Sequence, residues 1–149
     1  MIHSESDDGL IPIAPGVSVS RETFRRLKIY ETLLLRWQGR INLISNSTIA
    51  SIWTRHFADS AQLPNILPTA TSWVDLGSGA GFPGMVVGIQ LLERQLAKVQ
   101  LIEADPKKCA FLREVARETG VSAEIYQLSF WDGGCKEKDC EYCALRALI

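Results

Sequence analysis

The sequence predicts an α/β fold, a parallel doubly wound sheet preceded by a short helical extension. Three observations carry this. From residue 72 onward, strand-length apolar runs alternate with longer amphipathic segments in the order β-α-β-α-β. That alternation implies parallel strands joined by right-handed crossovers. The run Val74-Asp75-Leu76-Gly77-Ser78-Gly79-Ala80-Gly81-Phe82-Pro83-Gly84 puts a glycine-rich turn between a strand end and a helix start. Nucleotide-type cofactors sit at such turns, because glycines let the backbone approach closely and a helix N-terminus offers free N–H groups. Before residue 72, by contrast, apolar residues recur at helical spacing.

The chain has 149 residues, 46% of them apolar, and a net charge of −1. That is enough for one domain with a core. No apolar run is long enough to cross a bilayer. Met1 to Pro15 mix acids with Ile-Pro-Ile and lack the basic start and apolar stretch of a signal peptide. Residues 1–16 are therefore expected to be a flexible tail on a cytoplasmic protein. Residues 17–70 would form the helical extension, and residues 71–149 the α/β domain.

Within the extension, Ser20 is a plausible N-cap for a helix over Ser20 to Arg40, with Phe24, Leu27, Leu34, Trp37 and Ile41 on one face. A second helix is predicted from Ser47, presenting Ile49, Ile52, Trp53, His56 and Phe57. Pro64 and Pro68 mark a loop. Between Val17 and Phe57 seven basic residues (Arg21, Arg25, Arg26, Lys28, Arg36, Arg40 and Arg55) face only Glu22 and Glu31. The excess suits a phosphate-facing surface, although on charge alone a solvated helix face is the simpler account. In the second part, strands are predicted at Trp73 to Leu76, Val99 to Glu103 and Ala123 to Gln127. The intervening helices run from Pro83 to Leu96 and from Pro106 to Thr119, the latter closed by Gly120.

The glycines fit two cofactor patterns. Gly77-x-Gly79-x-Gly81 has the spacing of S-adenosylmethionine (SAM) sites, while Gly79-x-Gly81-x-x-Gly84 fits the dinucleotide fingerprint. Asp75 favours SAM, because an acid just before the glycines suits a cationic ligand and repels a pyrophosphate. Counted from Gly77 at the strand end, Phe82 stands where the dinucleotide pattern needs its third glycine. A tight turn without a ligand is the bland alternative. Glu103 ends the second strand, where an acid accepts hydrogen bonds from ribose hydroxyls; Asp105 is the second candidate. Either acid could instead only cap the helix that begins at Pro106.

Asn42-Leu43-Ile44, Arg55-His56-Phe57-Ala58-Asp59-Ser60, Asp75 to Gly84 and Lys107-Lys108-x-x-Phe111-Leu112 occur in one order and spacing. Together they resemble the glucose-inhibited division protein B family over roughly Arg36 to Tyr126. Members of that family are bacterial enzymes that methylate guanine N7 of small-subunit (16S) ribosomal RNA. The resemblance implies a class I SAM-dependent methyltransferase fold (Rossmann-like) with an N-terminal helical extension, and a role in rRNA processing on the small ribosomal subunit. Asp75, Gly77, Gly79, Gly81, Phe82 and Glu103 are then the candidate SAM-binding residues, with Glu103 on the ribose. Arg55 and His56 would lie near the active-site mouth; read without the resemblance, His56 is a half-buried helix residue beside Trp53. Guanine N7 has a lone pair and no proton. Alignment and water exclusion then suffice, and neither a Ser-His-Asp set nor a metal is expected. The basic extension would surround an RNA base held out of its stack.

After Tyr126 the likeness fades, and Trp131 to Cys140 show no clear period. The expectation is a truncated or frame-shifted end, half of the expected sheet missing and apolar faces exposed. Such a chain would be a poor or inactive methyltransferase, or would need a partner. Cys135, Cys140 and Cys143 match part of an iron–sulfur spacing but lack a fourth ligand, so metal binding is not expected. Two other functions remain open at this point. One is a non-catalytic SAM- or RNA-binding fragment; the other is a dinucleotide-dependent oxidoreductase.

Overall fold

The computed structural model describes residues 9–94 and 97–128. Two strands come first, β1 (Leu10–Ala14) and β2 (Val17–Ser20), paired antiparallel. The first part of the chain is thus not all tail, and residues 10–16 belong to a hairpin. Its turn is Pro15-Gly16, with Gly16 at φ +73°, a pairing of fixed and left-handed φ that suits a tight turn. Pro12 is tolerated because β1 is an edge strand. Val17 and Val19 point into the protein and are buried.

Helix α1 (Arg21–Gln38) starts where the sequence predicts. The Ser20 hydroxyl accepts from the Thr23 N–H at 3.0 Å, filling one orphan donor of the first turn. Its buried stripe is Thr23, Leu27, Tyr30, Leu33 and Leu34. The stripe is rotated from the predicted one, since Phe24 and Trp37 are only half-buried and Tyr30 lies at the centre. Past the helix, Gln38 folds the chain back. Its Oε1 accepts from Leu43 and Ile44 N–H at 3.1 and 3.0 Å, and its Nε2 donates to the Ile44 carbonyl at 2.7 Å.

The predicted second helix is a helical path of changing pitch. A 3-10 segment (Asn46–Ser51) and a π-turn (Trp53–Phe57) lead into α2 (Ala58–Ala61). Ile52 and Phe57 are its buried anchors. Pro64 does not mark a loop. It lies in the first turn of α3 (Leu63–Ile66), where a missing N–H costs nothing.

The sheet is parallel, in the order β3 (Ser72–Leu76), β4 (Lys98–Glu103), β5 (Ala123–Gln127). Helix α4 (Gly84–Gln90), extended by a 3-10 turn at Leu91–Glu93, joins the first pair of strands. Helix α5 (Pro106–Thr119) joins the second and ends at Gly120 with φ +75°. Strands β4 and β5 and helix α5 match the sequence expectation to within a residue; α4 is shorter than expected. Among the described residues this is a mixed α/β fold with a parallel three-stranded sheet in sequential order, the arrangement of one half of a Rossmann-like doubly wound sheet.

One core joins both parts of the chain. Leu27, Tyr30, Leu34 and Phe57 from the extension pack in the same cluster as Met85, Leu101, Phe111 and Leu112. Each such side chain, fully buried, contributes about 1.5–3 kcal/mol. Trp37 extends the contact by donating to Glu114 of α5 at 2.8 Å. On β3, side chains alternate between faces. Asp75 turns toward the start of α4, so Val74 and Leu76 lie on the opposite face, where they are 37% and 38% exposed.

Candidate cofactor site

Parallel pairing brings the ends of β3 and β4 side by side, so the loops after them share one edge of the sheet. The glycine-rich loop is pinned there by its backbone. Gly77 and Ser78 N–H both donate to the Ile102 carbonyl, at 2.8 and 2.9 Å. The Ser78 hydroxyl donates to the Asp75 carbonyl at 2.9 Å. Gly77, Gly79 and Gly81 have φ of +74°, +53° and +94°.

The glycines divide by what surrounds them. A Cβ on Gly77 would meet nothing within 4 Å, and one on Gly79 only the Gly77 carbonyl at 3.8 Å. Their open sides form a cradle of bare backbone at the strand ends. Gly81 and Gly84 instead face protein. A Cβ at Gly81 would stand 2.6 Å from the Tyr30 hydroxyl oxygen, and one at Gly84 would stand 2.7 Å from Asp75 Oδ2. The Gly81 N–H donates to the Ser78 carbonyl at 2.7 Å, and its carbonyl accepts from Met85. Gly81 therefore shapes the loop from inside.

The two acids flank the loop. Glu103 is nearly buried, at 9% exposure. Its Oε2 accepts from the Gly79 N–H at 2.7 Å and its Oε1 from the Asp105 N–H at 2.9 Å. Asp105 is the helix cap: its Oδ1 accepts from Lys107 and Lys108 N–H at 2.7 and 3.3 Å. Asp75 Oδ2 accepts from the Gly84 N–H at 3.0 Å. Burial raises the Asp75 carboxyl above its ordinary range, the charge of Glu103 adds to the rise, and the Gly84 N–H opposes it.

Three of the first four N–H groups of α4 are already held within the protein, so the helix start offers fewer free donors than the sequence reading expected. The Gly84 N–H is held by Asp75, the Met85 N–H by the Gly81 carbonyl, and the Val87 N–H by the Pro83 carbonyl.

Aromatic rings close one side of the loop. Phe82 lies nearly parallel to His56 (centroids 4.9 Å apart, 27°) and to Tyr30 (5.3 Å, 21°), and meets Phe57 edge-on at 5.2 Å. The wide π-turn at Trp53–Phe57 delivers His56 to this ring. A His56 Nε2 to Thr48 hydroxyl contact of 3.0 Å holds the imidazole. Burial lowers the His56 pKa and Arg55 adds to the lowering, while Asp59 opposes it. Arg55 is itself exposed and forms no ion pair among the described residues. Sequence reasoning missed Tyr30 and Phe57 as site neighbours. The one available signal for Tyr30 was its place three residues after Leu27 on the helical stripe.

Four of the seven basic residues form ion pairs among the described residues, but only the pair with Glu114 draws on an acid outside the segment, so most of the basic excess remains. Arg25 and Arg26 pair with Glu22, Lys28 with Glu31, and Arg36 with Glu114. Among the described residues no three His, Cys, Asp or Glu could hold a metal. No helix there is long and apolar enough to cross a membrane. Cys135, Cys140 and Cys143 lie outside the described residues.

The model of the family described as rRNA small subunit methyltransferase G (GidB) matches residues 23–148. The chain belongs to the GidB family. Its curated relatives carry the name ribosomal RNA small subunit methyltransferase G. The one from Parvibaculum lavamentivorans is 52% identical over 110 residues, covering 73% of this chain and 49% of that protein. One from a Bradyrhizobium species is 54% identical over 108 residues, covering 72% and 49%. One from Rhizobium etli is 43% identical over 133 residues, covering 89% and 65%. The chain thus spans about half the length of the first two. The match to the GidB model begins before Arg36 and continues past Tyr126, so the family likeness is wider than the motifs alone indicated. It is a methyltransferase family with a class I SAM-dependent fold, which decides against the oxidoreductase reading.

Proposed function

We propose that the loop from Gly77 to Phe82 binds S-adenosylmethionine and that the chain serves methyl transfer to guanine N7 of small-subunit ribosomal RNA, in the cytoplasm. The observation that carries this is the open cradle at Gly77 and Gly79 with Glu103 beneath it. Each carboxylate oxygen of Glu103 uses one lone pair on a backbone N–H and has another to accept a ribose hydroxyl. Asp75, two residues before Gly77, supplies the charge that a cationic ligand needs. Phe82 offers an apolar wall. When bound, SAM supplies an electrophilic methyl group on a sulfonium sulfur.

The chain's own residues then have to position and enclose. Guanine N7 needs no general base, since it has no proton to lose. Alignment of the base and exclusion of water carry the rate. The ring stack of His56, Phe82 and Tyr30 makes a stiff, water-poor border to the loop. Burial lowers the His56 pKa and so favours the neutral imidazole, the form that suits a neighbouring cationic ligand. Exposed Arg55 is the cation best placed on this segment to meet an RNA phosphate. The relatives' names, which give ribosomal RNA as their substrate, support the same choice.

Thermal unfolding with excess SAM or NAD tests the cofactor, because a ligand that binds only the folded state raises Tm. A rise with SAM and not with NAD is expected; a rise with NAD alone overturns the reading. Transfer of labelled methyl from SAM to undermethylated small ribosomal subunits tests the activity. SAM binding without transfer would assign the chain a binding role only.

A further inference from the structure

We infer that Tyr30, on a helix outside the α/β unit, is a positioning residue for the glycine-rich loop; this rests on the reading of that loop as the SAM site. Tyr30 is fully buried. Its hydroxyl donates to the Ala80 carbonyl, in the middle of the loop. Its ring lies along Phe82 and meets Phe57 and Phe111 at centroid distances of 5.2 and 6.2 Å. The room for it exists only because residue 81 has no side chain.

The peptide between Ala80 and Gly81 explains why the hydroxyl matters. A peptide unit is planar and turns as one piece. Tyr30 holds its carbonyl end, and the Ser78 carbonyl holds its N–H end at 2.7 Å. The unit sits between Gly79, whose open side forms the cradle, and Phe82, which walls it. Without the hydroxyl, the carbonyl of Ala80, a residue only 6% exposed, loses its buried donor. An unmatched buried acceptor is costly, so the peptide turns and carries Gly79 and Phe82 with it. The Tyr30 hydroxyl stays protonated throughout the useful pH range, because burial and the Asp75 charge both raise its pKa.

The test compares Tyr30→Phe, which removes only the hydroxyl, with Leu27→Val, which loosens the same buried stripe of α1 one turn away. SAM affinity by titration calorimetry and stability by urea unfolding are measured on each folded protein. Tyr30→Phe should raise the SAM Kd about three- to tenfold, the range expected for one lost neutral hydrogen bond. Leu27→Val should lower the unfolding midpoint and leave Kd unchanged. Equal Kd for Tyr30→Phe and wild type would overturn the inference while leaving the cofactor site standing. Equal Kd increases in both variants would reduce Tyr30 to a core residue and also overturn it. Failure of the wild type to bind SAM would overturn the site reading and the inference together. Hydrogen exchange at the Gly81 amide gives a readout that needs no ligand. Exchange should be faster in Tyr30→Phe than in Leu27→Val; equal rates count against the inference.

Discussion

Alanine at Gly81 and alanine at Gly77 should damage this protein in opposite ways. At Gly81 the backbone has φ +94°, a left-handed conformation that costs an L-residue about 1–2 kcal/mol. The new Cβ would also stand 2.6 Å from the Tyr30 hydroxyl oxygen, 2.9 Å from Leu112 Cδ2 and 3.0 Å from Met85 Cβ. All three neighbours are fully buried, so overpacking adds roughly 1–3 kcal/mol. Gly81→Ala should therefore cost about 2–5 kcal/mol, a large part of the ~5–15 kcal/mol that holds an ordinary domain together. Gly77 has φ +74° and nothing within 4 Å of the Cβ position. Gly77→Ala incurs only the backbone penalty, about 1–2 kcal/mol, but its methyl group fills the cradle. Urea unfolding and SAM titration separate the two. With a urea dependence of roughly 1–3 kcal/mol per molar, a 3 kcal/mol loss at Gly81 moves the midpoint down by about 1–3 M. Gly77→Ala should move it by much less and raise the SAM Kd by about tenfold or more, since about 1.4 kcal/mol of steric conflict suffices for that. Equal midpoint shifts, or wild-type SAM affinity in Gly77→Ala, would refute the division of the glycines into packing and ligand-facing positions.

Asp75→Asn bears on pH. The folded carboxyl titrates above its ordinary value, mainly because it is buried. The folded state thus holds its proton to a higher pH than the unfolded state, and stability falls as pH rises through the window between those two values. Asn should flatten that fall in urea curves taken across pH, and weaken SAM binding through the lost charge. Glu103→Gln places an amide where the carboxylate accepts from Gly79 and Asp105. Lost charge-assisted bonds there should raise the SAM Kd roughly tenfold or more; unchanged affinity in calorimetry would remove Glu103 from the site. Ser20→Ala deletes the cap of α1 and should cost about 1 kcal/mol in urea unfolding with SAM affinity intact.

The glycine-rich loop, Glu103 and the two αβ units were legible because their causes are local. Strand alternation, the Asp105 cap and Gly120 are each written in a few adjacent residues. Tyr30 was not legible as a site neighbour. Its partner Ala80 is fifty residues away, and a tyrosine on a buried helical stripe has no mark distinguishing core from loop support. The hairpin at residues 10–20 was obscured because acids mixed with Ile-Pro-Ile read as a tail, although both prolines of the segment fit the hairpin. One sits on an edge strand and the other makes the turn. His56 was readable only by resemblance, because the π-turn that brings it to Phe82 has no composition of its own.

Asp75 favours a cationic ligand over an anionic one at the loop. A dinucleotide site needs N–H groups at the helix start to meet a pyrophosphate, and the positive end of the helix to favour it. In this chain the first of those groups, Gly84 N–H, is already held by the Asp75 carboxylate at 3.0 Å. A second charge, Glu103, lies close enough to raise Asp75 further. An anion would meet two acids and a helix start whose Gly84, Met85 and Val87 N–H groups are already held. A cation would meet the same two acids as attraction, and its arrival would lower the Asp75 pKa toward the ordinary range, recovering part of what burial of the carboxylate costs. Glycine spacing alone fits both ligand classes. The acid that caps the helix start from the preceding strand is what separates them.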